Sequence, residues 1–437
     1  MTSPDLTHAR VLRIALPIVL SNATVPILGL VDTGVVGQIG EAAPIAAVGV
    51  GAIVLSSVYW IFGFLRMGTT GLAAQALGRG EDDEVAALLT RALLIAGAAG
   101  IVLIAAQAAI FWVAFRVSPA TAEVEGLARD YMAIRIWSSP AAIAVYGLTG
   151  WLIAQERAVP VLVIQVGMNG VNIVLDLWFV LGLDWGVQGV AVATFIAEWF
   201  GAALGLWYCR DAFRRPAWRD PARVFEGPRL KRMLVVNTDI MIRSVILQAV
   251  FTSFLLYGGA FGDVTLAANQ VLLQFLYVTA YALDGFAFAV EALVGRYFGA
   301  GDRARLRRAV LLTGGWGAGI VVGLSIVFAS AGGAVVDLMA KDPEVREAAR
   351  AFLPWMVAAP VVGVWAWMLD GVFIGATRTR DMRNMMILSG VVYGAALLVL
   401  VPAVGNHGLW AALLISFVAR GLTLGARYPA LERAALA

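Results

Sequence analysis

The residue types that build most catalytic and metal centres are nearly missing from this chain. Its 437 residues include one cysteine, Cys209, and only two histidines, His8 and His407. A single cysteine excludes an internal disulfide, and three such residues cannot assemble a Cys/His metal cluster. A membrane-embedded enzyme needs a nucleophile with its base, or a metal set, so the same shortage argues against one. Charge is scarce as well. Only 14% of the residues are charged against 61% hydrophobic, and the mean hydropathy is +0.84, whereas soluble domains are about one quarter charged. The composition is that of a polytopic membrane protein. The polar stretch Met1 to Arg10 is short and leads into a full-length apolar run, so no cleaved signal peptide is expected.

What is there is a series of apolar runs divided by glycine, proline and charge. They predict twelve spans, at 11–37, 45–75, 88–115, 130–154, 158–182 and 187–209, then 234–258, 266–295, 309–333, 349–375, 384–404 and 408–428. With the N-terminus inside, 23 of the 32 Lys and Arg residues fall on the cytoplasmic side and six on the outer side, leaving Arg66, Arg243 and Arg420 within spans. That asymmetry predicts both termini in the cytoplasm of a multi-pass inner-membrane protein. It also accounts for the basic run Arg303 to Arg308 as a membrane anchor, with no nucleic-acid partner.

Residues 210–232 carry eight of the cations together with Pro216, Pro221 and Pro228, a composition that cannot span and that divides the chain. The expected organisation is an N-lobe at 1–209, a cytoplasmic linker at 210–232 and a C-lobe at 233–437. The halves repeat: Ala46-Ala47 and Gly78-Arg79-Gly80 return as Ala267-Ala268 and Gly299-Ala300-Gly301 at an offset of 221, and Pro140 returns as Pro360 at 220. Six spans per half is an even number, so the halves enter the membrane in the same orientation. The predicted fold is all-α, twelve transmembrane helices in two pseudo-symmetric six-helix lobes, an architecture of alternating-access transporters.

Against this apolar background a few polar residues stand out. Asp32 lies inside the first span, where a central carboxylate costs about 3 kcal/mol on insertion scales and therefore faces protein or a watery cavity. Pro17 and Pro26 precede it and predict bends in that helix. Asn172 and Asp176, four apart, share one face of the fifth span. Thr149 in the fourth span and Thr194 in the sixth add hydroxyls. If these faces converge, two carboxylates in low dielectric cannot both ionise cheaply, and the pair shares a proton. A sodium ion held by the oxygens of Asp32, Asn172, Asp176 and Thr194 is the alternative. The C-lobe offers Asp284, Asp370, Gln274 and Tyr281 as candidates to line a substrate cavity, while Glu291, close to the cytoplasmic end near Arg296, is expected to be structural. Asp239 and Arg243, one turn apart, are expected to pair with each other.

Ala15-Leu16-Pro17 and Gly29-Leu30-Val31-Asp32-Thr33, the two six-helix halves and the glycine turns resemble the multidrug and toxic compound extrusion (MATE) transporters of the multidrug/oligosaccharidyl-lipid/polysaccharide (MOP) type. Tyr281 to Ala287 and Leu369 to Arg378 resemble their DinF-like branch. The resemblance covers essentially the whole chain. It implies a cation-coupled antiporter of small organic, often cationic compounds that works by alternating access, as a monomer in the lipid bilayer and with no cofactor beyond the coupling ion. Its coupling site would fall on Asp32, Asn172, Asp176 and Thr194, with Thr149 where archaeal relatives carry an Asn. The sodium-coupled NorM branch uses a seventh-helix Glu that this sequence lacks, which favours H+. A lipid-linked oligosaccharide flippase of the same superfamily is the rival, expected to need a more cationic cavity.

Overall fold

The computed structural model describes residues 5–38, 42–117 and 121–435. Within the first helix, the side chains of Ile27, Leu30, Asp32, Thr33 and Val36 lie outside the described residues. The described residues form helices and turns, with no strand among them. In chain order the helices are α1 (His8–Gly37), α2 (Ala42–Ile61), α3 (Phe64–Gly78), α4 (Asp82–Ala105), α5 (Gln107–Val117), α6 (Ala122–Arg135), α7 (Ser139–Ala154), α8 (Ala158–Asp176) and α9 (Gly186–Tyr208). They continue as α10 (Pro221–Val224), α11 (Gly227–Gly259), α12 (Asp263–Gly299), α13 (Arg303–Met339), α14 (Pro343–Gly375), α15 (Thr379–Val404) and α16 (Asn406–Ala434). Among the described residues, eleven helical runs are long and apolar enough to cross a membrane, and the 30-residue α1 supplies a twelfth candidate.

Local chemistry sets several helix ends. Asp302 Oδ1 accepts the Arg305 amide at 2.9 Å at the start of α13, and Asp342 Oδ1 accepts the Glu344 amide at 2.8 Å before Pro343 opens α14. Each cap satisfies one of the orphan amides of a first turn.

Two compact units emerge. One comprises Leu20–Ala73 and Gly80–Met233; the other comprises Leu234–Ala437 together with Met1–Val19 and Ala74–Arg79. The first is cored by Leu55, Tyr131, Met132 and Val190. The second is cored by Phe254, Leu272, Phe275, Trp410 and Phe417, with the Phe254 and Trp410 rings edge-on at 4.6 Å. The early segments join the second unit by close packing: Gly285 lies against Ala15 and Val19, Gly78 against Arg296, and Gln75 Nε2 donates to Gly375 O at 3.0 Å.

The repeat is visible in helix contacts. Gly150 on α7 rests on the Arg66 carbonyl of α3, and Gly371 on α14 rests on the Ala287 carbonyl of α12. Both pairs are separated by the offset of 221. At each place only a residue without a Cβ lets the backbones meet.

The halves differ at their matched prolines. Pro360 is accommodated inside a continuous α14. Pro140 follows a break, where α6 gives way to a short 3-10 turn at Ile136–Ser138 before α7 begins. Pro140 has no N–H to offer the carbonyl one turn back, and side chains take over. Ser139 Oγ donates to Ile136 O at 2.5 Å, and Ser138 Oγ and Tyr59 Oη both donate to Arg135 O, at 2.6 and 3.1 Å.

Candidate functional site

Asn172 and Asp176 meet on α8 as their spacing requires. Asn172 Nδ2 donates to Asp176 Oδ2 at 2.8 Å, and the two residues are 1% and 0% exposed. Asp176 is also the last α-helical residue of its span, because Leu177–Gly182 continues as a π-helical segment. Such wide turns are rare and concentrate at functional sites. Phe179 within it stacks between Trp178 and Trp185, with centroids at 5.4 and 4.9 Å.

One level lower, α8 is tied to α1. Asn169 Nδ2 donates to Thr24 Oγ1 at 2.9 Å, and Gln165 Nε2 donates to Asn169 Oδ1 at 3.0 Å. As the first and fifth spans, these helices run in the same direction. At 1.5 Å per residue, Asp32 stands about 12 Å beyond Thr24 and Asp176 about 10.5 Å beyond Asn169. On ideal helical rise, backbone position 32 of α1 thus falls within about one turn of the level of Asp176 on α8. The Asp32 side chain itself is outside the described residues.

The two threonines are half-buried and turned back on their own helices. Thr194 Oγ1 donates to Val190 O at 3.0 Å, and Thr149 Oγ1 donates to Val145 O at 2.7 Å. Each hydroxyl proton is used locally, which leaves oxygen lone pairs facing outward.

In the second unit the expected Asp239–Arg243 pair does not form. Asp239 instead accepts from Arg383 Nη1 at 2.6 Å and from Thr379 Oγ1 at 3.1 Å. Arg243 reaches across to Asp370, with Arg420 Nη1 4.0 Å from the same carboxylate oxygen. All three members of that cluster are buried. A neighbour one turn away on a helix loses to a partner on a facing helix when burial makes geometry decisive. Of the other candidates on α12, Gln274 is exposed while Tyr281 and Asp284 are half-buried.

A second buried pair falls outside the sequence reading altogether. Arg135, counted there with the outer loops, is 6% exposed and bonds Glu198 on α9 at 2.5 Å. Ser138 Oγ shares its single proton between Arg135 O and the same carboxylate, and Arg135 Nη1 also donates to Tyr131 Oη at 3.0 Å. The available signal was a pair of opposite charges, Arg135 inside the expected fourth span and Glu198 inside the sixth.

The apolar helices define a polytopic membrane protein, and its family makes it a transporter rather than an enzyme. The chain belongs to the MatE family: the family model matches it twice, at residues 17–178 and 240–400, once in each half. It is 40% identical over 426 residues to DNA damage-inducible protein F of Escherichia coli, covering 94% of this chain and 90% of that one. It is 28% identical to the probable multidrug resistance protein NorM of Pseudomonas aeruginosa, covering 97% and 90%. Among solved structures, a MATE protein in a bent conformation superposes with a TM-score of 0.88 at 19% identity, over 98% of this chain and 97% of that one. An outward-facing multidrug resistance MATE family transporter of the MOP superfamily gives 0.85 at 18%, with the same coverage. These superpositions establish a shared fold.

Proposed function

We propose that the chain is a multidrug efflux antiporter of the DinF-like branch that exchanges protons for small organic, often cationic compounds. Asp32, Asn172 and Asp176 form its coupling site, with Thr149 and Thr194 in support. The observation that carries this reading is the fully buried Asp176, held by Asn172 at the start of a π-helical segment. Two carboxylates brought close in an apolar bundle share protons rather than ionise together. Loss or gain of the shared proton changes what α1 and α8 must hydrogen-bond, and α1 carries Pro17 and Pro26, where its axis yields most easily. Proton occupancy thereby biases alternating exposure of the substrate site to the two sides of the membrane. The kinship with multidrug resistance proteins supports the substrate class. The bias of Lys and Arg supports a location in the cytoplasmic membrane with both termini inside, with the monomer as the working unit.

The test is efflux of a fluorescent organic cation from proteoliposomes, driven first by a pH gradient and then by a sodium gradient, with Asp32→Asn beside the wild type. Transport driven by the pH gradient alone and abolished in the variant is the expected result. Drive by sodium alone would replace the proton with Na+ at the same residues. Full activity of Asp32→Asn would remove the mechanism.

A further inference from the structure

The second unit contains a cationic cluster and an apolar groove that lie end to end, and neither is used by proton coupling. The cluster is Arg243 on α11, Asp370 on α14 and Arg420 on α16, which are 6%, 4% and 2% exposed. Two guanidiniums share one carboxylate, so the group carries one surplus positive charge. Asp239, one turn before Arg243 on α11, is already matched by Arg383 of α15 and supplies no counter-charge. Among the described residues, Nε–H of Arg243 and of Arg420 has no acceptor, and Asp370 Oδ1 has no donor. Such a buried, half-compensated guanidinium is costly until an anion meets it.

An open groove of about 550 Å³ runs between α11 and α15. Its walls are Ile246, Val250 and Tyr257 on one side and Gly390, Gly394 and Leu397 on the other. The volume is that of a small-molecule site. One end lies a helical turn from the cluster. Ile246 is three residues beyond Arg243 and packs against Gly390, while Gly390 is one turn beyond Met386, whose sulfur is 3.9 Å from Arg420 Nη1. An open apolar groove with surplus positive charge buried one helical turn beyond its end is complementary to a molecule with an apolar chain and an anionic head.

We propose that this groove binds an amphipathic organic anion, its carboxylate or sulfonate on Arg420 and the free edge of Arg243, its hydrocarbon along α11 and α15. The proposal rests on the transporter reading and extends its substrates to a class of opposite charge. Neither site needs the other, so the two readings fail separately.

The experiment measures binding of radiolabelled laurate to the purified full-length protein in a non-ionic detergent, with dodecyltrimethylammonium and dodecanol as competitors of equal chain length. Saturable laurate binding that neither competitor displaces is expected. Arg420→Gln, which leaves Arg243 and Asp370 as a matched pair, is expected to weaken it about tenfold or more. Gly394→Leu is expected to do the same by filling the groove, since a Cβ at Gly394 meets nothing within 4 Å. Melting temperatures close to wild type confirm that both variants are folded, and the competitor series on the wild type decides the matter if one is not. Displacement by dodecanol would make this a groove for lipid tails and overturn the proposal. Unchanged affinity in Arg420→Gln, or no saturable binding, would overturn it too. Loss of cation efflux by the wild type in the same preparation would count against the proton-antiport reading and leave the laurate result standing.

Discussion

At the scale of single residues, the hydrogen bond from Asn172 to Asp176 sets what each substitution does. Asp176→Asn keeps the shape of the side chain and its acceptor oxygen, so the protein is expected to insert and melt near the wild-type temperature while gradient-driven efflux is lost. Efflux in proteoliposomes beside a melting curve in detergent checks both halves of that statement. Asn172→Ala removes the donor from a fully buried carboxylate, a change of about 1–3 kcal/mol, and is expected to lower the melting temperature as well as the transport rate. The lone Cys209 is 0% exposed. A maleimide is therefore expected to label the folded protein slowly and the denatured protein at once, which leaves the native chain a clean background for introduced cysteines. Asp176 was legible in the sequence because an acid and an amide four apart in an apolar run share a face. The partners of Asp239 and Arg243 were not legible. Their spacing fixes a common helix face, but Arg383 and Asp370 reach that face from other helices, and spacing along one helix carries no information about them.

At the scale of helices, glycines decide how closely α3 and α7 approach. A Cβ on Gly150 would collide with the Arg66 carbonyl. Gly150→Ala is therefore expected to force the two backbones apart and to destabilise by about 1–3 kcal/mol. Gly170 on α8 is the control, because its added Cβ meets nothing within 4 Å. There the same substitution removes only glycine's helix penalty, about 1 kcal/mol, and is expected to be neutral or stabilising. Paired melting curves in one detergent distinguish the two. The spans themselves were readable, since a run of apolar residues bounded by charge has few other outcomes. The π-helical segment after Asp176 was not, because Leu177 to Gly182 is an ordinary apolar sequence whose winding depends on what packs beside it. Pro140 and Pro360 make the same point. Their matched positions were visible as a repeat, but a break follows only where Ser138, Ser139 and Tyr59 stand ready to satisfy the freed carbonyls.

At the scale of the whole molecule, the linker is fastened to α4 of its own unit. Arg91 on α4 is 2% exposed and reaches Glu84 at 2.6 Å, Val224 O at 2.7 Å and Arg223 O at 2.6 Å. Arg229 pairs with Glu84 at 2.8 Å, and Thr90 Oγ1 donates to Trp218 O at 2.8 Å. The charge and proline content of residues 210–232 marked a linker in the sequence. That it folds down onto α4 depends on two buried guanidinium-to-carbonyl bonds that composition cannot show. Nor does sequence order reveal that the second unit takes Met1–Val19 and Ala74–Arg79 from the chain's beginning. A cut at the linker therefore does not yield two self-sufficient pieces. Expressed alone, residues 234–437 lack Ala15 and Val19 against Gly285, the Gln75 donor to Gly375 O, and Arg10 Nη1, which donates to Tyr297 Oη at 3.0 Å. That fragment is expected to be degraded or to aggregate, and co-expression with residues 1–233 is expected to restore a complex that survives purification and carries out efflux. Size-exclusion chromatography of each preparation reads the outcome. A monodisperse, protease-resistant 234–437 fragment on its own would show that the early segments contribute little to the second unit, and the contacts at Gly285 and Gly375 would then be incidental to its stability.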